Sequence, residues 1–123
     1  MANYVDYEVP DALKNSILDF VKNTVKKNGR IKKGMNECTK SIERGKAKLV
    51  VIASDISPAE IVMHLPPIAQ EKKIPYVFVN TKAELGKAAD IHTPCSALAI
   101  LEFDKSIDAD FKEIIKQTSN LRK

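Results

Sequence analysis

The sequence predicts an α/β fold, a three-layer α/β/α sandwich around a small mixed sheet. Two short apolar runs, "KLVVIAS" at 48–54 and "PYVFV" at 75–79, carry no inside–outside alternation, which marks strands covered on both faces. Around and between them lie segments with apolar residues at helical spacing. Helix and strand patterns therefore alternate, and alternation of that kind builds a sheet flanked by helices.

The elements follow in order. Pro10-Asp11 opens a helix with Leu13, Ile17, Leu18, Val21 and Val25 on one face, and Asn28-Gly29 can stop it. "RIKKG" at 30–34 is a short edge strand or a loop. Residues 36–44 read as a helix with few large apolar groups, ended by Gly45, with Arg44 in its last turn. The 48–54 strand belongs in the middle of the sheet. Pro58 suits the start of a helix carrying Ile61, Val62 and Leu65, and Pro66-Pro67 interrupts or restarts it. After the 75–79 strand, Asn80-Thr81 offers caps for a helix over 82–88. A further strand is expected at about 96–103. A last helix at 106–121 has Ile107, Phe111, Ile114 and Ile115 as its stripe. No linker or repeat interrupts 1–123, and 123 residues suffice for one core but hardly two, so one domain is expected.

Aromatic residues make up only 6% of the chain and Trp is absent, so Ile, Val, Leu and Ala must fill the core. Cys38 and Cys95 give no disulfide framework. The first residues lack the pattern of a secretory signal, and no apolar run approaches membrane-spanning length. These features suit a reducing, cytoplasmic setting without membrane attachment. Net charge is +4, a weak sign of an anionic partner. Its placement says more. Residues 22–48 hold ten Lys/Arg against two acids, while the rest of the chain holds ten against fourteen. One strongly basic region on a mildly acidic body points to nucleic-acid phosphates.

Catalysis finds little support. There is no phosphate-binding GxxxxGK[ST] loop and no dinucleotide fingerprint. His64, His92, Cys38 and Cys95 do not fall at metal-ligand spacing. Asp55 follows the central strand, where α/β proteins place ligands, but "SDISP" reads as a turn before Pro58. No enzyme activity, cofactor or metal is therefore expected. Nor does a base-stacking platform exist: Tyr76 and Phe78 alternate on a strand between valines and are expected to be buried.

The stretch "KKGMNECTK" at 32–40 is different. A helix opening near Met35 or Asn36 leaves its first N–H groups without helical partners, at a positive dipole end suited to phosphate. Lys32 and Lys33 precede that end. Lys40 falls one turn after Asn36 and Glu37, and Arg44 one turn further. Glu37 is counterproductive for holding phosphate, but a carboxylate accepts hydrogen bonds from base amino or imino groups. The competing reading is an Asn cap followed by a solvated Glu–Lys pair worth about 0.3 kcal/mol. On these residues alone the two readings stand level.

The joined pattern "KKGxNExTK", "RG", "LVVIA", "HLP", "IPYV" and "LG", within "RIKKGMNECTKSIERGKAKLVVIASDISPAEIVMHLPPIAQEKKIPYVFVNTKAELGKAA", closely resembles the L7Ae family. The likeness extends over about 9–103. It implies an α/β/α sandwich that binds RNA kink-turns, which are bent helix–bulge–helix elements with tandem sheared G·A pairs. It implies that Asn36, Glu37 and Lys40 meet the guanines of those pairs, that Gly34 permits close approach to the backbone, and that Lys33 and Arg44 add phosphate contacts. Ile91, His92 and Thr93 would cover a flipped-out bulge nucleotide. This loop departs from archaeal relatives, which commonly carry an acid where His92 stands and an aliphatic where Thr93 stands. Met35 and Cys38 stand where Thr is common. The resemblance further implies kink-turns of rRNA, box C/D and H/ACA guide RNAs and RNase P RNA as partners. Membership of the ribosome and guide ribonucleoprotein particles, contacts with their proteins, and a free monomer follow from the same likeness.

Overall fold

The computed structural model describes residues 7–57 and 62–121. In chain order these form α1 (Asp11–Lys26), β1 (Arg30–Lys33), α2 (Met35–Glu43), β2 (Leu49–Ala53), α3 (Leu65–Glu71), β3 (Tyr76–Val79), α4 (Lys82–Ala88), β4 (Ala97–Glu102), a 3-10 turn (Lys105–Ile107) and α5 (Asp108–Leu121). The four strands lie in the order β1-β4-β2-β3. β2 runs parallel to β3, and β4 runs antiparallel to both β2 and β1, so the sheet is mixed. A parallel pair cannot be closed by a hairpin, and the chain passes through α3 on its way from β2 to β3.

The helices fall into two groups. α1 packs on β1 and β3 and touches α4 and α5, while α2 packs on β4 and β1 and touches α3. That is the expected three-layer sandwich. Every residue of β2 and β3 is buried, as is β4 up to Leu101, which is why these strands read as continuous apolar runs. Ile17, Phe20, Ile42, Ile52, Leu65, Leu85, Leu98 and Ile100 fill the space between layers. The few aromatics are grouped. Phe20, Phe103 and Phe111 pack with ring centroids 4.8–5.9 Å apart. Tyr76 and Phe78 are buried against Tyr7, and the Tyr76 hydroxyl accepts from Gln70 Nε2 at 2.7 Å.

"RIKKG" resolves into an edge strand, β1, because its backbone pairs with β4. α2 begins one residue earlier than its sequence pattern indicates and leaves Arg44 as its C-cap, with Gly45 at φ 68° ending it. The last helix opens with a 3-10 turn, where the Asp104 carboxylate accepts from the Ser106 N–H at 2.8 Å and tightens the entry. The helix expected from Pro58 rests on residues 58–61, which lie outside the described residues. The chain turns at 62–64, and α3 then carries Pro66 and Pro67 in its first turn, so the prolines restart a helix. Among the described residues no helix is long and apolar enough to cross a membrane.

Candidate nucleic-acid interface

One antiparallel ladder brings the predicted site together. Lys33 at the end of β1 pairs with Leu98 near the start of β4, so the junction into α2 lies beside the 91–96 segment that leads into β4. The Gly34 N–H donates to the Ala97 carbonyl at 2.8 Å and pins this junction. Residues about sixty positions apart in sequence thus border one surface.

Gly34 is the N-cap of α2, at φ 96° and ψ 157°. That backbone region is essentially restricted to glycine. A Cβ placed there would meet nothing within 4 Å, so conformation, not crowding, demands glycine. The space in front stays open to a partner. Gly34→Ala should therefore destabilise the fold by about 1–3 kcal/mol through strain alone. A lower denaturant midpoint with an unchanged slope would show it.

Because the cap is glycine, no side chain satisfies the first turn of α2. The first bond into the helix is from the Cys38 N–H to the Gly34 carbonyl, at 3.0 Å, so the N–H groups of Met35, Asn36 and Glu37 precede the helical ladder. Asn36 and Glu37 occupy the second and third helical positions. Asn36 is exposed, and among the described residues no hydrogen bond engages its side chain. The Asn-cap reading therefore fails. The Glu37–Lys40 pair exists, but at 3.9 Å with side chains 45% and 59% exposed it is a weak surface contact that leaves both groups available.

The buried face of α2 holds Cys38, Ser41 and Ile42. That spacing turns Asn36, Glu37 and Lys40 outward together. Lys33 is exposed and Lys32 half-buried on the edge strand, where charge also deters pairing with another chain. Arg44 is exposed but sits at the far end of α2, about 10 Å along the axis from Glu37. It is a rim residue rather than part of the helix opening.

The 91–95 loop is held from α4. The Ile91 N–H donates to the Gly86 carbonyl at 3.1 Å, and the Cys95 N–H donates to the Lys82 carbonyl at 2.9 Å. Ile91 packs partly on the core, while His92 and Thr93 are exposed. Two supports of this loop go unrecognised in the sequence. Gly86 lies so near that a Cβ on it would sit 2.2 Å from the Thr93 carbonyl oxygen. Asp55, considered there for chemistry, instead accepts from the Lys82 N–H at 2.9 Å and caps α4, alongside the Thr81 hydroxyl, which accepts from the Glu84 N–H. The "LG" pair in a helix and an Asp after a strand were the only signals, and neither reveals its partner.

On the other flank, the Thr39 hydroxyl donates to the Met35 carbonyl at 2.9 Å and lies 2.8 Å from His64 Nε2. With its one proton committed, the hydroxyl accepts from the imidazole, tying the first turns of α2 and α3 together. Cys38 and Cys95 are buried, and burial pushes both thiols above their ordinary range. They are packing residues. Among the described residues no group of three His, Cys, Asp or Glu side chains could hold a metal.

The profile of the ribosomal protein L7Ae/L30e/S12e/Gadd45 family matches residues 17–110, most of the chain. The chain belongs to this family. Over 122 residues this L7Ae-family chain is 43% identical to the large ribosomal subunit protein eL8 of Picrophilus torridus, a match covering 99% of this chain and 94% of that one. The fold superposes on the Giardia lamblia 15.5kD RNA binding protein with a TM-score of 0.87 and 33% identity, covering 98% and 99% of the two chains. The family is one of structural ribosomal proteins and not of enzymes.

Proposed function

We propose that this protein is an RNA-binding component of the large ribosomal subunit, a single RNA-binding domain that recognises and stabilises kink-turns. The names of its relatives support the ribosomal and RNA-binding parts of this reading. The observation that carries the kink-turn part is the outward group of Asn36, Glu37 and Lys40 at the uncapped opening of α2, facing the space before Gly34. An amide and a carboxylate can read base edges, while Lys32, Lys33 and the free N–H groups hold phosphates. His92 and Thr93 are exposed on the neighbouring loop and, in this reading, cover an unstacked bulge nucleotide.

The mechanism involves no bond chemistry. Contacts made only in the bent RNA shift its population toward the bend. Kink-turns in rRNA, box C/D and H/ACA guide RNAs and RNase P RNA share that shape, so one surface serves all of them. Ribosomal and guide-particle proteins would then meet the protein–RNA assembly, with the free protein a cytoplasmic monomer.

Affinity for a kink-turn measured against the same RNA with its G·A pairs disrupted tests the reading, and equal affinity would sink it. Sequencing of RNAs crosslinked to the protein in cells identifies its particles. Lys33→Ala supplies a separate prediction. Lys33 is exposed and contacts phosphate in this reading, so its loss should weaken all RNAs alike. The salt slope of log K should become shallower by about 0.9, the value for one phosphate contact.

A further inference from the structure

The basic region does not stop at the α2 opening. Lys33 also lines a groove of about 390 Å³ with Arg30, Val25 and Ala89. Val25 is shared with a second groove of about 720 Å³ between α1 and α4, which Lys22, Lys26 and Lys87 line. The two grooves form one track, leading from the end of β1 over the C-terminal part of α1 to α4. Its five cations face two carboxylates, Asp19 and Asp90. Lys22, Lys26, Lys87, Arg30 and Lys33 are all exposed, and none of the ion pairs among the described residues includes them. Their charge is therefore not neutralised within the protein. The excess of five exposed cations over two carboxylates favours a polyanion as the occupant of the track, with the apolar floor between them taking the stems of the lysines.

We propose that this track is a second RNA-contact surface, holding the phosphate backbone of a stem that continues beyond the element read by α2. The proposal rests on the kink-turn reading, because Lys33 is the point where both surfaces meet. The α2 opening supplies shape and base recognition, and the track adds affinity proportional to stem length without reading sequence. A protein so built discriminates between an isolated kink-turn and one embedded in a long helix.

The test compares two RNAs, a kink-turn with both stems trimmed to the minimum and the same kink-turn with both stems extended by a full helical turn. The triple variant Lys22→Gln/Lys26→Gln/Lys87→Gln should bind the trimmed RNA like the wild-type protein. On the extended RNA its salt slope should be shallower by up to about 2.7, roughly 0.9 for each phosphate contact removed. Asp19→Asn should act in the opposite sense and tighten only the extended RNA, by removing a repulsive charge from the track. All four substitutions are at exposed positions, and an unchanged circular dichroism melt confirms that the fold persists. A triple variant with wild-type affinity and slope on the extended RNA overturns the track while leaving the kink-turn reading intact. Wild-type protein that prefers neither RNA over a G·A-disrupted control overturns both.

Discussion

Glu37→Ala should cut the preference for a kink-turn over its G·A-disrupted version by about 1–3 kcal/mol, roughly five- to 150-fold. The carboxylate sits in the first turn of α2 with its side chain 45% exposed, and its ionic partner among the described residues, Lys40, is 3.9 Å away. Such a pair holds the side chain only loosely, so its removal should barely change stability. An acid in a basic surface repels phosphate. If that were all it did, its loss would tighten binding to every RNA and steepen the salt dependence. If it accepts hydrogen bonds from base edges, its loss must weaken the kink-turn selectively and leave the disrupted RNA unaffected or slightly tighter. The two readings predict opposite signs for the kink-turn, so a pair of titrations separates them. Glu37→Gln, which keeps one acceptor oxygen on a side chain of the same length, should recover part of the preference.

Gly86→Ala should damage both stability and loop function. A methyl at this position would lie 2.2 Å from the Thr93 carbonyl oxygen and 3.2 Å from Pro94 Cα, both backbone atoms. No side-chain rotation relieves such a contact. Either α4 shifts and pulls its own buried Leu85 and Ala88 out of register with the core, or the loop carrying His92 and Thr93 moves outward. Forced overpacking of this kind costs about 1–3 kcal/mol. A thermal scan should show the melting temperature falling by several degrees. Binding supplies the second readout. Wild-type protein should prefer a kink-turn with an intact bulge nucleotide over one with an abasic bulge, and Gly86→Ala should shrink that preference. Unchanged preference together with a lowered melting temperature would confine Gly86 to packing.

Much of the fold was legible because it rests on local pattern. The burial of "LVVIA" and "YVFV" follows from their lack of alternation, and the start of α4 from the cap at Thr81. Pairing was not legible. Nothing local in "RIKKG" distinguishes an edge strand from a loop, since its partner lies near residue 100. The site divided along the same line. The outward group of Asn36, Glu37 and Lys40 follows from helical geometry once α2 is accepted, yet the one-residue difference in its start decided whether Asn36 is a cap or a free amide. Gly86 against Thr93, and Asp55 against Lys82, are contacts across turns that residue type alone does not encode.

The sheet order carries a consequence for synthesis. β4, the last strand in the chain, is inserted between β1 and β2. Until residues near 100 have left the ribosome, β1 has no neighbour, the Gly34 N–H has no acceptor, and the surface shared by the α2 opening and the 91–95 loop does not exist. The basic segment at 22–48 emerges much earlier and can attract RNA only through charge, without discrimination. Selective capture must wait for the sheet to close. A nascent chain stalled before β4 should therefore hold RNA loosely and indiscriminately, and acquire its selectivity in one step as the final strand docks.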